Sequence, residues 1–343
     1  MKKIGKTILA VLVLIVVILF VYTKIDKSPS EDTISKELRN WKSNSEVFQF
    51  QQFNISYFDT KDASKEVIVL LHGYPTSSFD WSLLWEDLKK NYRLIALDML
   101  GFGLSDKPSD IQYSISLQAD IQEAILKNLQ IKRFHILAHD YGDNVAQEMI
   151  ARFMESGSKY PFQIRSATLL NGGLFPETHK PTRVQSLLAS PLGSLISPLV
   201  NQSLFENSFK KVFGAQFLPS KQDLIDQWYL ICQQGGNRIN HKLVHASNDR
   251  IVNQERWRNT LVQDRIPILF INGLQDPVTG KETVDRYRKI VPNPNLITLD
   301  SIGHFPQLEA PKLVQKNLVR FINNPEMIFE EPKVLINVVT TNL

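Results

Sequence analysis

Ala138-His139-Asp140-Tyr141-Gly142 is the stretch that decides the fold. It joins an apolar run, residues 134–138, to a segment of helical spacing, residues 144–154. Small residues two before and two after Asp140 suit a tight, strained strand-to-helix turn that lifts the central side chain out of the backbone. The following helix points its N-terminal N–H groups at the same spot and favours negative charge there. An aspartate that opens a helix is often only a cap, so this turn needs partners elsewhere before it signals chemistry.

Working outward, residues 47–53 and 55–58 read as an antiparallel strand pair. Residues 67–71, 93–97, 134–138 and 164–170 are short apolar runs, the pattern of strands buried on both faces. Helical spacing over 117–129 falls between the second and third of these. Strands alternating with helices predict a mostly parallel, doubly wound α/β sheet. The alternation stops at Leu174 and resumes after Gln263 with strand 268–272, helix 281–290, strand 296–299 and helix 313–322. The interruption, residues 174–263, carries proline-broken amphipathic helices and is most economically a cap over an active site. The organisation is then an N-terminal anchor (1–27), a linker with at most a short helix (28–46), a core in two parts (47–173 and 264–323) around the cap, and a C-terminal tail (324–343).

The partners of Asp140 stand at the ends of later strands, where an open α/β sheet carries its chemistry. Asp276 lies in Gly273-Leu274-Gln275-Asp276-Pro277, and His304 in Gly303-His304-Phe305. His72-Gly73-Tyr74-Pro75 follows the 67–71 strand, where an oxyanion-binding N–H belongs. Singly, each reads as a turn or a surface residue. Together, the order carboxylate, acid, histidine is that of an α/β-hydrolase fold. A carboxylate at the elbow attacks a saturated carbon and forms an ester with the substrate. Water deprotonated by His304 then attacks the carboxyl carbon of Asp140, Asp276 holds the imidazole, and the N–H groups of Tyr74 and Tyr141 stabilise the oxyanion.

Leu71-His72-Gly73-Tyr74-Pro75-Thr76-Ser77-Ser78, Asp98-Met99-Leu100-Gly101-Phe102-Gly103-Leu104-Ser105-Asp106-Lys107-Pro108 and His139-Asp140-Tyr141-Gly142 resemble the epoxide hydrolase and haloalkane dehalogenase branch. More closely, His139-Asp140-Tyr141-Gly142-Asp143, Asn171-Gly172-Gly173-Leu174-Phe175-Pro176-Glu177-Thr178-His179 and His304-Phe305-Pro306-Gln307-Leu308-Glu309 are similar to the mesoderm-specific transcript proteins. That resemblance spans about residues 79–321 and implies a membrane-associated hydrolase fold with no cofactor. It also implies a cis peptide at Tyr74-Pro75. Dehalogenases of the branch usually place asparagine and tryptophan where this chain has Tyr74 and Tyr141. Epoxide hydrolases usually supply two cap tyrosines as proton donors, and residues 174–263 hold one, Tyr229. Asp143, if aimed at Asp140, would raise the pKa of that carboxyl. An epoxide hydrolase on a small apolar or lipid-like substrate is therefore the leading expectation. Dehalogenation, ester hydrolysis and a binding fold without turnover are the alternatives.

The 343 residues are 43% hydrophobic and 22% charged, the composition of a chain with a sizeable core. Five of the 39 basic residues, Lys2, Lys3, Lys6, Lys24 and Lys27, precede residue 28 with a single acid, Asp26, so bases and acids balance thereafter. That leaves no basic patch to argue for nucleic acid. Residues 8–22 are an apolar run that spans about 24 Å as a helix through Thr23. Flanking lysines can snorkel to the interface, and no small-residue cleavage site follows. This predicts a retained single-pass signal anchor, with the amino end cytosolic and the catalytic part in the periplasm or lumen. Cys232, the single cysteine, sits in an apolar helical stretch and reads as a core thiol. His241 and His245 share a helix face, but no third ligand is evident and no metal is expected.

Overall fold

The structure, a computed structural model, describes residues 27–263 and 265–326. The predicted anchor helix and the tail beyond residue 326 lie outside the described residues. Eight strands form one sheet: β1 (Glu46–Phe50), β2 (Phe53–Asp59), β3 (Glu66–Leu71), β4 (Tyr92–Leu97), β5 (Arg133–His139), β6 (Gln163–Leu170), β7 (Ile268–Gly273) and β8 (Asn295–Leu299). Their order is β1-β2-β4-β3-β5-β6-β7-β8. β1, β2 and β4 pair antiparallel, and every pair from β4 to β8 is parallel.

The apolar runs are continuous because both faces of the sheet are covered. Along β3, Val67, Val69 and Leu71 enter one core with α3 (Ile115–Asn128) and α4 (Tyr141–Ser156). Ile68 and Leu70 enter the other, with α2 (Ser82–Leu88) and α14 (Pro311–Asn323). Each apolar side chain so buried contributes about 1.5–3 kcal/mol. α12 (Lys281–Ile290) follows β7, and α13 (Pro306–Glu309) precedes α14.

Between β6 and β7 the chain is helical: α5 (Arg183–Leu188), α6 (Gly193–Ile196), α7 (Gln202–Phe209), α8 (Lys221–Cys232), α9 (Asn240–Ala246), α10 (Asp249–Val252) and α11 (Gln254–Val262). Ser220 and Asp223 form a capping box that starts α8. Leu188, Phe205, Phe209 and Trp228 form the cap's own core and close on Val278 and Phe305 of the sheet domain. Cys232 is buried within it.

Residues 28–46, expected as a linker with at most a short helix, do carry that helix and form a strap docked on the sheet and the cap. α1 (Lys36–Ser43) is capped by Ser35 and buries Leu38 and Trp41. Trp41 packs on Phe58 at 4.5 Å between ring centroids and edge-on to Trp85 at 4.9 Å. The strap also reaches the cap, where the Ser35 N–H donates to Asp226 Oδ1 at 2.8 Å.

Candidate active site

Asp140 adopts φ 49° and ψ −109°, a conformation that costs about 1–3 kcal/mol for a non-glycine residue. Two glycines make room for the turn. A Cβ on Gly142 would stand 2.2 Å from the Leu71 carbonyl oxygen, and one on Gly73 would stand 2.6 Å from His139 Nδ1. β5 thus delivers Asp140 to the sheet's carboxyl edge, and α4 departs directly behind it.

The three residues expected to act together do meet. Asp276, after β7, accepts from His304 Nδ1 at 2.7 Å. His304 Nε2 lies 3.8 Å from Asp140 Oδ1. Asp140 Oδ2 accepts from the Tyr74 backbone N–H at 3.0 Å. All three side chains are buried. Burial disfavours the imidazolium, but the carboxylates of Asp276 and Asp140 outweigh it and hold His304 well above its ordinary pKa. Burial likewise works against ionising Asp140, yet His304 and the Tyr74 N–H keep its carboxyl below the usual range.

Several residues that hold this arrangement are given no role by the sequence, although Asn171, His139 and Glu309 stand in its family-like stretches. Asn171 Nδ2 at 2.8 Å and Thr279 Oγ1 at 2.6 Å both donate to Asp276 Oδ2, and the Val278 N–H donates to Oδ1 at 2.7 Å. Glu309 brackets His304: its carboxylate accepts from the N–H groups of Gly303 at 2.8 Å and Phe305 at 2.9 Å. The same carboxylate takes the Gly214 N–H from the cap at 2.8 Å. His139 is neutral, its pKa pushed down by burial to about 3, and its Nε2–H donates to the His304 carbonyl at 2.8 Å. The signal that points to them is position within those stretches: Glu309 lies five residues after His304, and His139 immediately precedes Asp140.

The remaining candidates are distributed differently. Tyr74 lines the cavities over both Asp140 and His304, and its peptide bond to Pro75 is cis. Tyr141 lines the cavity over Asp140 and packs its ring on Phe102, 5.6 Å between centroids. Tyr229 is not brought to the site. It packs with Ile34, Leu38 and Trp41 of the strap, and Lys42 Nζ donates to its hydroxyl at 2.5 Å. It faces the strap because α8 turns Trp228 and Ile231, not Tyr229, into the cavity beside His304. Asp143 also behaves differently from its expectation. Burial and the Asp140 charge raise its pKa well above its ordinary value, which favours the protonated form.

Two cavities meet at this centre. One, about 70 Å³, contains His304 and is walled by Leu188, Val200, Phe205, Trp228, Ile231 and Phe305. The other, about 110 Å³, contains Asp140 and is lined by Asn144, His179, Ser247 and Arg250. Tyr74 and Gln185 belong to both. Such an arrangement can place a carbon between a carboxylate and a histidine while enclosing an apolar chain.

The family profile described as alpha/beta hydrolase fold matches residues 66–311, and the chain belongs to that family. A solved structure, an alpha/beta hydrolase fold protein from Burkholderia ambifaria, superposes with a TM-score of 0.67 at 21% identity, over 80% of this chain and 97% of that one. Within the family this is a mesoderm-specific transcript-like hydrolase. It is 42% identical over 302 residues to the mesoderm-specific transcript homolog protein of Bos taurus, covering 85% of this chain and 89% of the relative. The mesoderm-specific transcript protein of Mus musculus is 41% identical over the same shares.

Proposed function

We propose that this hydrolase uses Asp140 as a nucleophile, passes through an alkyl ester of Asp140, and acts on an apolar or lipid-like epoxide. The observation that carries the reading is the elbow itself. A carboxylate stands on the strained turn, bound to one backbone N–H, 3.8 Å from a histidine paired with a second carboxylate. A carboxylate held ionised is a competent nucleophile toward a strained carbon–oxygen bond.

In the first step an Asp140 oxygen bonds to a ring carbon and the carbon–oxygen bond of the epoxide breaks. The departing oxygen takes a proton from the Tyr74 phenol, which lines both cavities and which burial holds protonated. The ester removes the Asp140 charge, one of the two that hold the His304 proton. The affinity of His304 for a proton therefore falls at the stage where it must act as a base. The proton on His304 passes to the Tyr74 phenolate, which leaves the imidazole neutral. His304 then takes a proton from water, and the hydroxide adds to the Asp140 carboxyl carbon with the Tyr74 N–H at the oxyanion. Collapse releases the diol and the Asp140 carboxylate, and His304 ends protonated as it began. No halide-binding pair of asparagine and tryptophan stands at positions 74 and 141, which weighs against dehalogenation. Single turnover in ¹⁸O water tests the step: label should enter Asp140, and label confined to product would sink the covalent route. A panel of epoxides, alkyl halides and esters, run beside Asp140→Ala, assigns the leaving group.

The chain's place is the non-cytosolic side of a membrane. The apolar run 8–22 ends five residues before Lys27, which is seated on the cap. Lys27 Nζ donates to the Pro198 and Val200 carbonyls, and the Lys27 carbonyl accepts from Trp228 Nε1 at 3.0 Å. Leu187, Leu192, Leu195 and Leu204, on the cap segment around that seat, are each more than half exposed. An apolar run that ends five residues before this seat, with exposed leucines around the seat, supports a cap turned toward the bilayer, where a lipid-like substrate is supplied.

A further inference from the structure

We propose that the cavity over Asp140 binds a compact oxyanion, a carboxylate or phosphate monoester borne by the substrate, with Arg250 as its counter-ion. The proposal rests on the reading of Asp140 as the reacting centre and adds the substrate class to it: an amphiphile with an anionic end.

Arg250 stands apart from the protein's other inward-facing arginines. Arg93 forks onto Asp59 with bonds of 2.9 and 2.6 Å. Arg152 pairs with Glu148 and Asp120, and Arg256 with Glu148 and Glu155. The Arg250 guanidinium, among the described residues, makes no hydrogen bond or ion pair. Its neighbour Asp249 is turned away and accepts the Ile115 N–H at 2.8 Å. Burial disfavours the Arg250 charge, and the one carboxylate that supports it is Asp140. Asp140, however, is already engaged by His304 and the Tyr74 N–H. A half-buried guanidinium without a protein partner is free to take an oxyanion, which supplies charge-assisted bonds to it.

A second group converges on the same spot. His179 Nδ1 is buried without a hydrogen-bond partner. Burial first, then the Arg250 charge, pushes the His179 pKa down to about 4, so its imidazole is neutral and offers an N–H without adding charge. Both groups lie over the bare backbone of Gly173. A Cβ there would stand 2.6 Å from Arg250 Nη1 and 3.6 Å from His179 Nδ1. A cation and a neutral donor line the Asp140 cavity, side by side above the Gly173 backbone. The cavity sharing Tyr74 and Gln185 with it is apolar and takes a hydrocarbon chain. A substrate spanning both puts its oxyanion at Arg250, its chain against Trp228 and Phe305, and its reacting carbon between Asp140 and His304.

Calorimetric titration of the full chain with decanoate, decyl phosphate and decanol tests this. At least one anion should bind tenfold or more tighter than decanol, and the anion that does identifies the headgroup. Arg250→Gln should abolish the difference while leaving decanol affinity in place. Arg250→Lys, which keeps the charge but loses the planar fork, should retain part of it and serves as the test if the glutamine variant does not fold. Equal binding of decanol and both anions, or an anion preference that survives loss of Arg250, would overturn the proposal. Asp140→Asn should keep the anion preference, because binding needs no turnover. An anion preference intact in a protein that takes no ¹⁸O label would therefore refute the nucleophile and leave this site standing.

Discussion

Asp140 and Asp143 are one helical turn apart, and the site assigns them opposite protonation states. His304 and the Tyr74 N–H stabilise charge on Asp140. Asp143 is buried beside that charge and takes up a proton instead. The folded pKa of Asp143 is thus raised above its unfolded value. Below the unfolded value both states are protonated and the residue is neutral to stability. As pH rises above it, the unfolded chain releases a proton that the folded chain keeps, and stability falls. Asp143→Asn removes that proton uptake. The variant should be more stable than the parent at pH 7. The gain should shrink to nothing below about pH 4. Denaturant melts at both pH values measure it, and a gain independent of pH would show that Asp143 is ionised in the fold.

At the scale of elements, the cap is held to the catalytic helix by a charged clamp. Glu148, buried on α4, accepts from Arg152 Nε at 2.8 Å and Trp257 Nε1 at 2.9 Å, and pairs with Arg256. Trp257 and Arg256 lie on α11, which returns the chain from cap to sheet. Removing the carboxylate leaves Trp257 Nε1 without an acceptor, while Arg152 keeps Asp120 and Arg256 keeps Glu155, so Glu148→Ala should cost about 1–3 kcal/mol, visible as a lower melting temperature. A loss under about 1 kcal/mol would mean that solvent already satisfies that donor. Such contacts mark the limit of what the sequence discloses. The strands and helix 281–290 are legible because burial on both faces leaves unbroken apolar runs and helical packing leaves a periodic stripe. Asp140, Asp276 and His304 are legible because each sits in a short turn motif at a strand end. Glu309, Asn171 and Thr279 act through hydrogen bonds to partners distant in sequence or to backbone N–H groups, and such bonds leave no pattern in the chain. The strap reads as a linker for a related reason: its burial rests on Ile34, Leu38 and Trp41, too few apolar positions to mark a polar stretch as docked. Tyr229 is a proton-donor candidate by residue type alone, and the orientation of a helix face decides otherwise.

At the scale of the whole molecule, the proposal that the cap faces a bilayer makes its exposed leucines and the two-part cavity one route from a lipid phase to Asp140. Replacing Leu187, Leu192, Leu195 and Leu204 with serine should weaken binding to phosphatidylcholine vesicles severalfold in a chain lacking residues 1–26. Co-sedimentation reads this, and unchanged binding would turn the cap away from the bilayer. Secondary structure should persist, because these side chains are already more than half exposed.

The docked strap has a practical consequence. The segment that matches the family begins at residue 66, and a shortened chain cut to that boundary would seem a natural choice for expression. Such a cut removes Leu38 and Trp41 and uncovers Phe79, Trp85, Tyr229 and Leu230 at the seam between sheet domain and cap. Material made that way should be sticky and prone to precipitate, for reasons unrelated to its catalytic centre. A soluble, crystallisable form should begin before Ile34, keeping the small aromatic plug in its socket.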